Sequence, residues 1–412
     1  MQESHGQLSE LQQRLLNEGR LLLDDAAHLR KASLTLSQRA ILTQQIQWRK
    51  RSRTRFPDPS KWLWSDRSLS QASDWMTACY KASLFPRDVL VLDGCCGAGA
   101  DAVALAGRGS VLAVDNDPWM VALSQNNAIA HDRIVSGFTE LLSAESLRNA
   151  RWMHIDPDRR ASEAKTLEVT DFSPPLSDVL HLARAVSGAM IKIAPSSILD
   201  ERCTDCLKSG WVRVWVGSRG ECRQQLLMTG EHLVSSFLER TKVLDQASDN
   251  AGQEMAFAVL LHESDSEQIQ IQESHFFGQP CASLSSNHDG IGPLIYDLHP
   301  TLFASKLHCQ WARDNQLVAI TGQYGFYSAQ QKVVSPWASG FELLEILPWD
   351  DRQVRKWLMK HGVGSVEVKC RLIRLDASAF QRRFSRPTGQ PISILVTRVD
   401  GRTRCLICRR LT

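Results

Sequence analysis

The chain lacks any apolar run approaching the ~20 residues that span a bilayer, and its N-terminus, MQESHGQLSE, lacks the charged-then-apolar build of a secretory leader. A cytoplasmic protein with no membrane partner is expected. Internal repeats and low-complexity tracts are missing too, which argues against stacked-repeat and disordered architectures. Cysteine is not scarce, at 11 of 412 residues, but zinc-site spacing is absent. Of the two C-x-x-C pairs, Cys405/Cys408 lies in the strand-like TRCLICRRL, where residues three apart face opposite sides. Cys203/Cys206 lies in the helix-like DERCTDCLKSG, with no second pair or histidine pair at ligand spacing. Free thiols and no metal are expected. The G-x-G-x-x-G pattern that admits a dinucleotide pyrophosphate is also absent.

What is present is concentrated in VLVLDGCCGAGADAVALAGRGSVLAVDNDP, Val89 to Pro118. An apolar strand runs into Asp93, a glycine turn and a helical pattern follow, and a second strand ends at Asp115. Such a unit brings bare backbone amides and a helix N-terminus up to a nucleotide-like ligand, and the acid ending the second strand accepts from ribose hydroxyls. Here an acid also precedes the turn, and a carboxylate beside phosphates repels them. Asp93 therefore favours a cationic or amine-bearing adenosine derivative. This order resembles the Rossmann-like S-adenosylmethionine (SAM)-dependent methyltransferases, with Cys95 standing where they usually have the first glycine. The candidate cofactor contacts here are Asp93, Gly94, Cys95, Gly97, Gly99, Asp101, Asp115 and Asn116.

The rest of the chain reads as α/β. Residues 1–85 are helix-like apart from FPDPSKWLWSD, and SLSQASDWMTACYKASLF leads as a helix into the glycine-turn strand. From 86 to 265, RWMHID, AMIKIAP, VRVWVG and AFAVLLHES are apolar enough for buried parallel strands. An irregular connecting region is expected over 266–340, and a small α+β unit over 341–412, where Asp400-Gly401 between alternating strands signals a hairpin. Charge is uneven. Residues 1–60 hold 10 Lys and Arg against 6 Asp and Glu, and residues 341–412 hold 15 against 7, leaving −9 between them within a net charge of +3. WRKRSRTR and the C-terminal arginines, Arg382, Arg383 and Arg386 among them, are either a phosphate-backbone footprint or a solvated face.

A second motif is IDPDRR. Ligands bind at the carboxyl ends of strands in open α/β sheets, so Asp156 and Pro157 face the reacting centre and are the candidate catalytic residues. Enzymes that methylate amines of nucleic acids read N/D-P-P-aromatic here. Asp158, Arg159 and Arg160 stand instead, and the two arginines point to phosphate or carboxylate contact.

With RFPDPSKWLWSDRSLSQASDWMTACYKA, LDGCCGAGADAVALA, IDPDRR, IKIAPS, LIYDLHPTLFAS and the tail VEVKCRLIRLDASAFQRRF…ISILVTRVDGRTRCLICRRL in order, the chain resembles bacterial class I SAM-dependent methyltransferases with a C-terminal THUMP-like domain. The resemblance implies a Rossmann-like methyltransferase sheet, an RNA-associated accessory domain, SAM as cofactor, and a pre-loop helix closing over it through Gln71 and Ser73. Where an acid often holds the adenine amine after the third strand, IVSGFTEL offers Phe138. Three functions remain open: an RNA methyltransferase, a methyltransferase of a protein or small molecule, and an inactive SAM- or RNA-binding homologue. A cysteine nucleophile of the cytosine-C5 type is set aside, because no Pro-Cys or Thr-Cys follows Asp156.

Overall fold

The computed structural model describes residues 34–158, 168–207, 210–242, 255–263, 271–280, 290–322 and 324–411. The chain divides into two compact units: Met1–Ser218, Arg223–Ala251 and Leu261–Gln272 form the first, and Arg219–Cys222, Gly252–Leu260 and Glu273–Thr412 the second.

In the first unit the expected strands form β1 (Leu90–Gly94), β2 (Ser110–Asp115), β3 (Ser136–Thr139), β4 (Trp152–Ile155), β5 (Gly188–Ile193) and β6 (Trp211–Ser218). A further strand, β7 (Glu221–Thr229), follows β6, and the order is β3-β2-β1-β4-β5-β7-β6. β1 runs parallel to β2 and to β4, β2 to β3, and β4 to β5, while β7 is antiparallel to β5. ECRQQLLMT was not expected as a strand, because its first half is polar. Its entry turn is set by Arg219 and Gly220, both at positive φ (52° and 77°). Topologically the order reverses at β1, with β2 on one side and β4 on the other, and the crevice at such a switch point receives ligands.

Helices α1 (Leu36–Ser52), α2 (Asp66–Gln71), α3 (Trp75–Leu84), α4 (Ala100–Ala106) and α5 (Pro118–Ala130) lead up to and follow the glycine turn. The single helix expected before β1 is two, because Asp74 accepts from the Thr77 amide at 3.1 Å and caps a new start. FPDPSKWLWSD, expected only to interrupt the helices, packs an aromatic block: Phe56, Trp62 and Trp64 are fully buried, and the two indoles stack with centroids 5.2 Å apart. Asn127 of α5 fixes it, accepting from Leu63 N at 2.9 Å and donating to Leu63 O at 3.0 Å and Ala98 O at 2.9 Å. The glycine turn is thereby tied to the segment before it. On the sheet's other face, Leu92, Val114, Met153, Ile155 and Ile191 form one core with Phe172, Leu176, Val179 and Leu180.

After β7 come β8 (Ala256–Glu263), the expected AFAVLLHES strand, and β9 (Ile271–Gly278). The second unit holds a sheet of β10 (Leu294–Leu298), β11 (Val318–Ala319), β12 (Tyr327–Ala329), β13 (Ala338–Pro348), β14 (Val363–Cys370), β15 (Gln390–Val399) and β16 (Arg402–Arg410), in the order β11-β12-β10-β13-β16-β15-β14. β10 (Leu294–Leu298), β11 (Val318–Ala319) and β12 (Tyr327–Ala329) lie within the region expected to be an irregular connector. That expectation is corrected, since β10 pairs antiparallel with β13 (Ala338–Pro348) from Leu294↔Glu342 to Leu298↔Ala338. Strands of two and three residues are too short to show a period. The expected hairpin is present: β15 (Gln390–Val399) and β16 (Arg402–Arg410) join through Asp400 and Gly401 at φ 49° and 72°. β14 (Val363–Cys370) runs parallel to β15. Helices α6 (Asp351–Lys360) and α7 (Ala377–Phe384) cover one face over Val354, Leu358, Phe380, Ile394 and Cys405, whereas Cys408 packs with Ile295, Phe341 and Leu406. The two cysteines thus sit in separate cores.

Candidate active site

A cavity of about 450 Å³ opens at the carboxyl ends of β1, β2, β4 and β5. Its floor is the glycine turn. Cys95 has φ 56°, a left-handed conformation that glycine adopts without strain. Gly97 (φ 52°) lines the cavity with no atom within 4 Å of where a Cβ would stand. Gly99 acts differently: a Cβ would lie 2.4 Å from Ser124 Oγ and 2.7 Å from Ser124 Cα, so it lets α4 close on α5.

Of the sequence candidates, Gln71, Ser73, Asp93, Cys95, Gly97, Asp101, Asp115, Asn116, Asp156 and Pro157 line the cavity. Gly94 and Gly99 are not among its lining residues. Phe138 is not among the lining residues. The Arg148 guanidinium covers its ring at 3.8 Å, and Glu140, Leu141 and Leu142 line that side instead. Glu140 is the acid after the third strand that sequence reading passed over. Arg148 holds it with two bonds of 2.9 Å and lowers its carboxyl below the ordinary value.

Asp115 binds two backbone amides, Gly97 N to Oδ2 and Asp117 N to Oδ1, both at 3.0 Å, fastening the turn to the end of β2. Burial raises its carboxyl above the ordinary value, and those two amides offset part of the rise. Burial and the Asp115 carboxylate beside them also hold the Cys95 and Cys96 thiols well above their ordinary value, hence protonated.

Beneath the floor lies a buried polar network that the sequence did not reveal. Lys81 of α3 is 1% exposed, and its Nζ meets Asp101 Oδ1 at 2.8 Å, Ser73 Oγ at 3.0 Å and His154 Nε2 at 3.0 Å. An ammonium only donates, so His154 Nε2 accepts and its Nδ1–H donates to Asp93 Oδ1 at 2.6 Å. Ser73 Oγ donates to Asp101 Oδ2 at 2.9 Å. Burial lowers the Lys81 ammonium and raises the Asp93 carboxyl. Burial also pushes Asp101 up, but the Lys81 ammonium, with Lys192 beyond it, outweighs that and holds the carboxyl well below its ordinary value. Two cavity carboxylates are thus positioned by two buried bases.

At the other end of the cavity, Asp156 donates its backbone N–H to Gly94 O at 3.2 Å, and its carboxylate is ion-paired to Lys192 of β5. Lys192 Nζ also donates to Gln71 O at 3.2 Å. Asp158 is committed to α2: it pairs with Arg67 and accepts from Gln71 Nε2 at 2.8 Å. Arg159 and Arg160 lie outside the described residues.

The N-terminal basic cluster is largely consumed within the fold. Arg49 donates to Trp62 O at 3.0 Å, Arg51 pairs with Asp66 at 2.7 Å, and Arg55 binds the carbonyls of Leu69 and Ala72. In the second unit Arg382 and Arg386 are exposed, whereas Arg383 pairs with Asp351. Arg383 shares a groove of about 380 Å³ with Arg352, Arg355 and Lys356, residues the sequence reading did not single out. Among the described residues no group of three or more His, Cys, Asp or Glu could hold a metal ion, and no helix is long and apolar enough to cross a membrane.

Residues 338–410 match the THUMP domain-like family. Over the whole chain, the crystal structure of a candidate methyltransferase from Porphyromonas gingivalis W83 superposes with a TM-score of 0.69 at 18% identity, covering 99% of this chain and 100% of that one. An uncharacterised S-adenosylmethionine-dependent methyltransferase of Mycobacterium tuberculosis, from strains CDC 1551 / Oshkosh and ATCC 25618 / H37Rv, is 25% identical over 349 residues, 83% of this chain and 86% of the relative. Residues 338–410 thus form a THUMP-like domain, and the chain as a whole is similar to S-adenosylmethionine-dependent methyltransferases and has the fold of one. The THUMP-like match begins at β13 and omits β10 to β12 of the same sheet.

Proposed function

We propose that the cavity binds S-adenosylmethionine and that the enzyme transfers its methyl group to RNA. The observation that carries the cofactor reading is the charge of the lining. Asp93, Asp101, Asp115, Asp117, Glu140, Asp156 and Asp158 face three basic residues, Arg67, Lys192 and Arg223. Seven acids around a glycine cradle repel a nucleotide phosphate and suit a ligand bearing an ammonium and a sulfonium. When bound, that ligand supplies a methyl group on positively charged sulfur. Asp115 has lone pairs left for ribose hydroxyls after taking its two amides. Asp93 Oδ2, buried and without a partner among the described residues, suits an ammonium. Gly97 leaves room for the ligand, and Asp156 orients or deprotonates the acceptor.

RNA is favoured as substrate by the THUMP-like unit and its excess of arginine. The test is incubation of the full chain with methyl-labelled SAM and total cellular RNA. Label in RNA is expected. Label only in protein or small molecules points to the second class of acceptor, and SAM binding without transfer to the inactive homologue.

A further inference from the structure

The acceptor side of the cavity is chemically lopsided. Lys192 Nζ has three N–H donors, of which Asp156 Oδ2 and Gln71 O take two; the third has no partner among the described residues. Asp156 Oδ1 likewise has none. The pair therefore presents one donor and one acceptor side by side, and both residues line the cavity. A hydroxyl, which donates one hydrogen and offers lone pairs, matches that pattern. The exocyclic amine of a base is a double donor whose lone pair is delocalised into the ring, so it has nothing to offer an ammonium.

Charge development points the same way. An attacking amine becomes cationic as the new bond forms, and an adjacent ammonium opposes it. An attacking hydroxyl oxygen becomes anionic as it loses its proton, and the same ammonium stabilises it. The lining, moreover, contains no Phe, Tyr or Trp on which a flipped base could stack, nor does the sequence from 159 to 167, RRASEAKTL. Asp158, standing where a second proline would help form an amine site, is engaged with Arg67 and Gln71.

We infer that the methyl acceptor is the 2′-hydroxyl of an RNA ribose, held between Lys192 and Asp156. The inference rests on the RNA methyltransferase reading above. The hydroxyl proton passes to Asp156 Oδ1. The oxygen's lone pair forms the new C–O bond to the methyl carbon of the sulfonium donor, and the electron pair of the breaking C–S bond stays on sulfur as the neutral thioether. Asp156 then gives the proton to solvent. Ribose is favoured over other hydroxyls because the THUMP-like unit and its arginines favour RNA.

The test uses the full chain, methyl-labelled SAM and total RNA from a strain in which its gene is deleted, with the RNA then digested to nucleosides. Label in 2′-O-methylnucleosides is expected. Label in base-methylated nucleosides overturns the inference while leaving the RNA methyltransferase reading standing. No label in RNA, with SAM bound, overturns that reading and the inference with it. Lys192→Met is expected to slow transfer roughly 100- to 1,000-fold while SAM still binds in calorimetry, and Lys192→Arg to recover part of the rate. Unchanged transfer by a folded Lys192→Met protein contradicts the role. Should that variant not fold, Asp156→Asn gives the same reading from the acceptor side.

Discussion

Lys81 is a lysine out of reach of water, and its charge is sustained by one carboxylate, one hydroxyl and one imidazole. Removing it leaves Asp101 buried without its main counter-charge, a change that costs about 3–5 kcal/mol for a buried pair. Lys81→Met is expected to show that loss in urea unfolding at neutral pH. The pH dependence has a definite sign. In the wild type Asp101 lies below its ordinary value of 3.8, so its contribution is complete above 3.8 and is lost only as pH falls through the lower folded value. Without Lys81, burial meets less opposition and that carboxyl rises, so the variant loses less stability than the wild type as pH falls. The gap between the two proteins is expected to narrow on acidification; a constant or widening gap contradicts the pairing. Nothing in the sequence announces this network. Lys81 sits inside the helix WMTACYKASL, His154 inside the strand WMHI and Lys192 inside AMIKI, and a single basic residue in a buried element shows no spacing pattern. The acids at strand ends were legible because a strand's end is fixed by the turn that follows.

Helix α2 is held over the cavity by Asp158, after β4, and by Lys192 of β5. Asp158 pairs with Arg67 and accepts from Gln71, and Lys192 holds the Gln71 carbonyl. Asp158→Ala is expected to speed amide hydrogen exchange across 66–71, through loss of these partners, while exchange in β4 stays slow. Equal exchange at 66–71 in the two proteins contradicts the clasp. The phosphate or carboxylate contact expected of the DPDR departure belongs to Arg159 and Arg160, outside the described residues, whereas Asp158 beside them is engaged within the protein. β7 was missed for a related reason: its polar first half, ECRQQ, hides a strand whose second half is buried. Strands of uniform apolarity, β1, β2, β5 and β6, were legible because both faces are covered.

Across the whole molecule, Met1–Ser218 belongs to one compact unit with no division before the glycine turn, and the boundary expected near residue 340 cuts β13. The basic ends also differ in their partners. Arg49, Arg51 and Arg55 are spent on backbone carbonyls and Asp66, whereas Arg382, Arg386, Arg352 and Arg355 have no ion pair among the described residues. Replacing Arg382, Arg383 and Arg386 with Ala is expected to weaken RNA binding and flatten the slope of log affinity against log salt by about 0.7–0.9 per lost phosphate contact, with Arg383 contributing least because Asp351 already holds it. An unchanged slope contradicts RNA docking there. The central claim is that the glycine cradle and the acid at the end of β2 hold SAM, and calorimetric titration of SAM into the full chain tests it most directly. Predicted is saturable binding to the wild type, weaker by about 1.5–3 kcal/mol in Asp115→Ala and abolished in Gly97→Val, where a branched side chain fills the open floor and strains a backbone at φ 52°. Equal affinity in all three proteins, or none in the wild type, contradicts it.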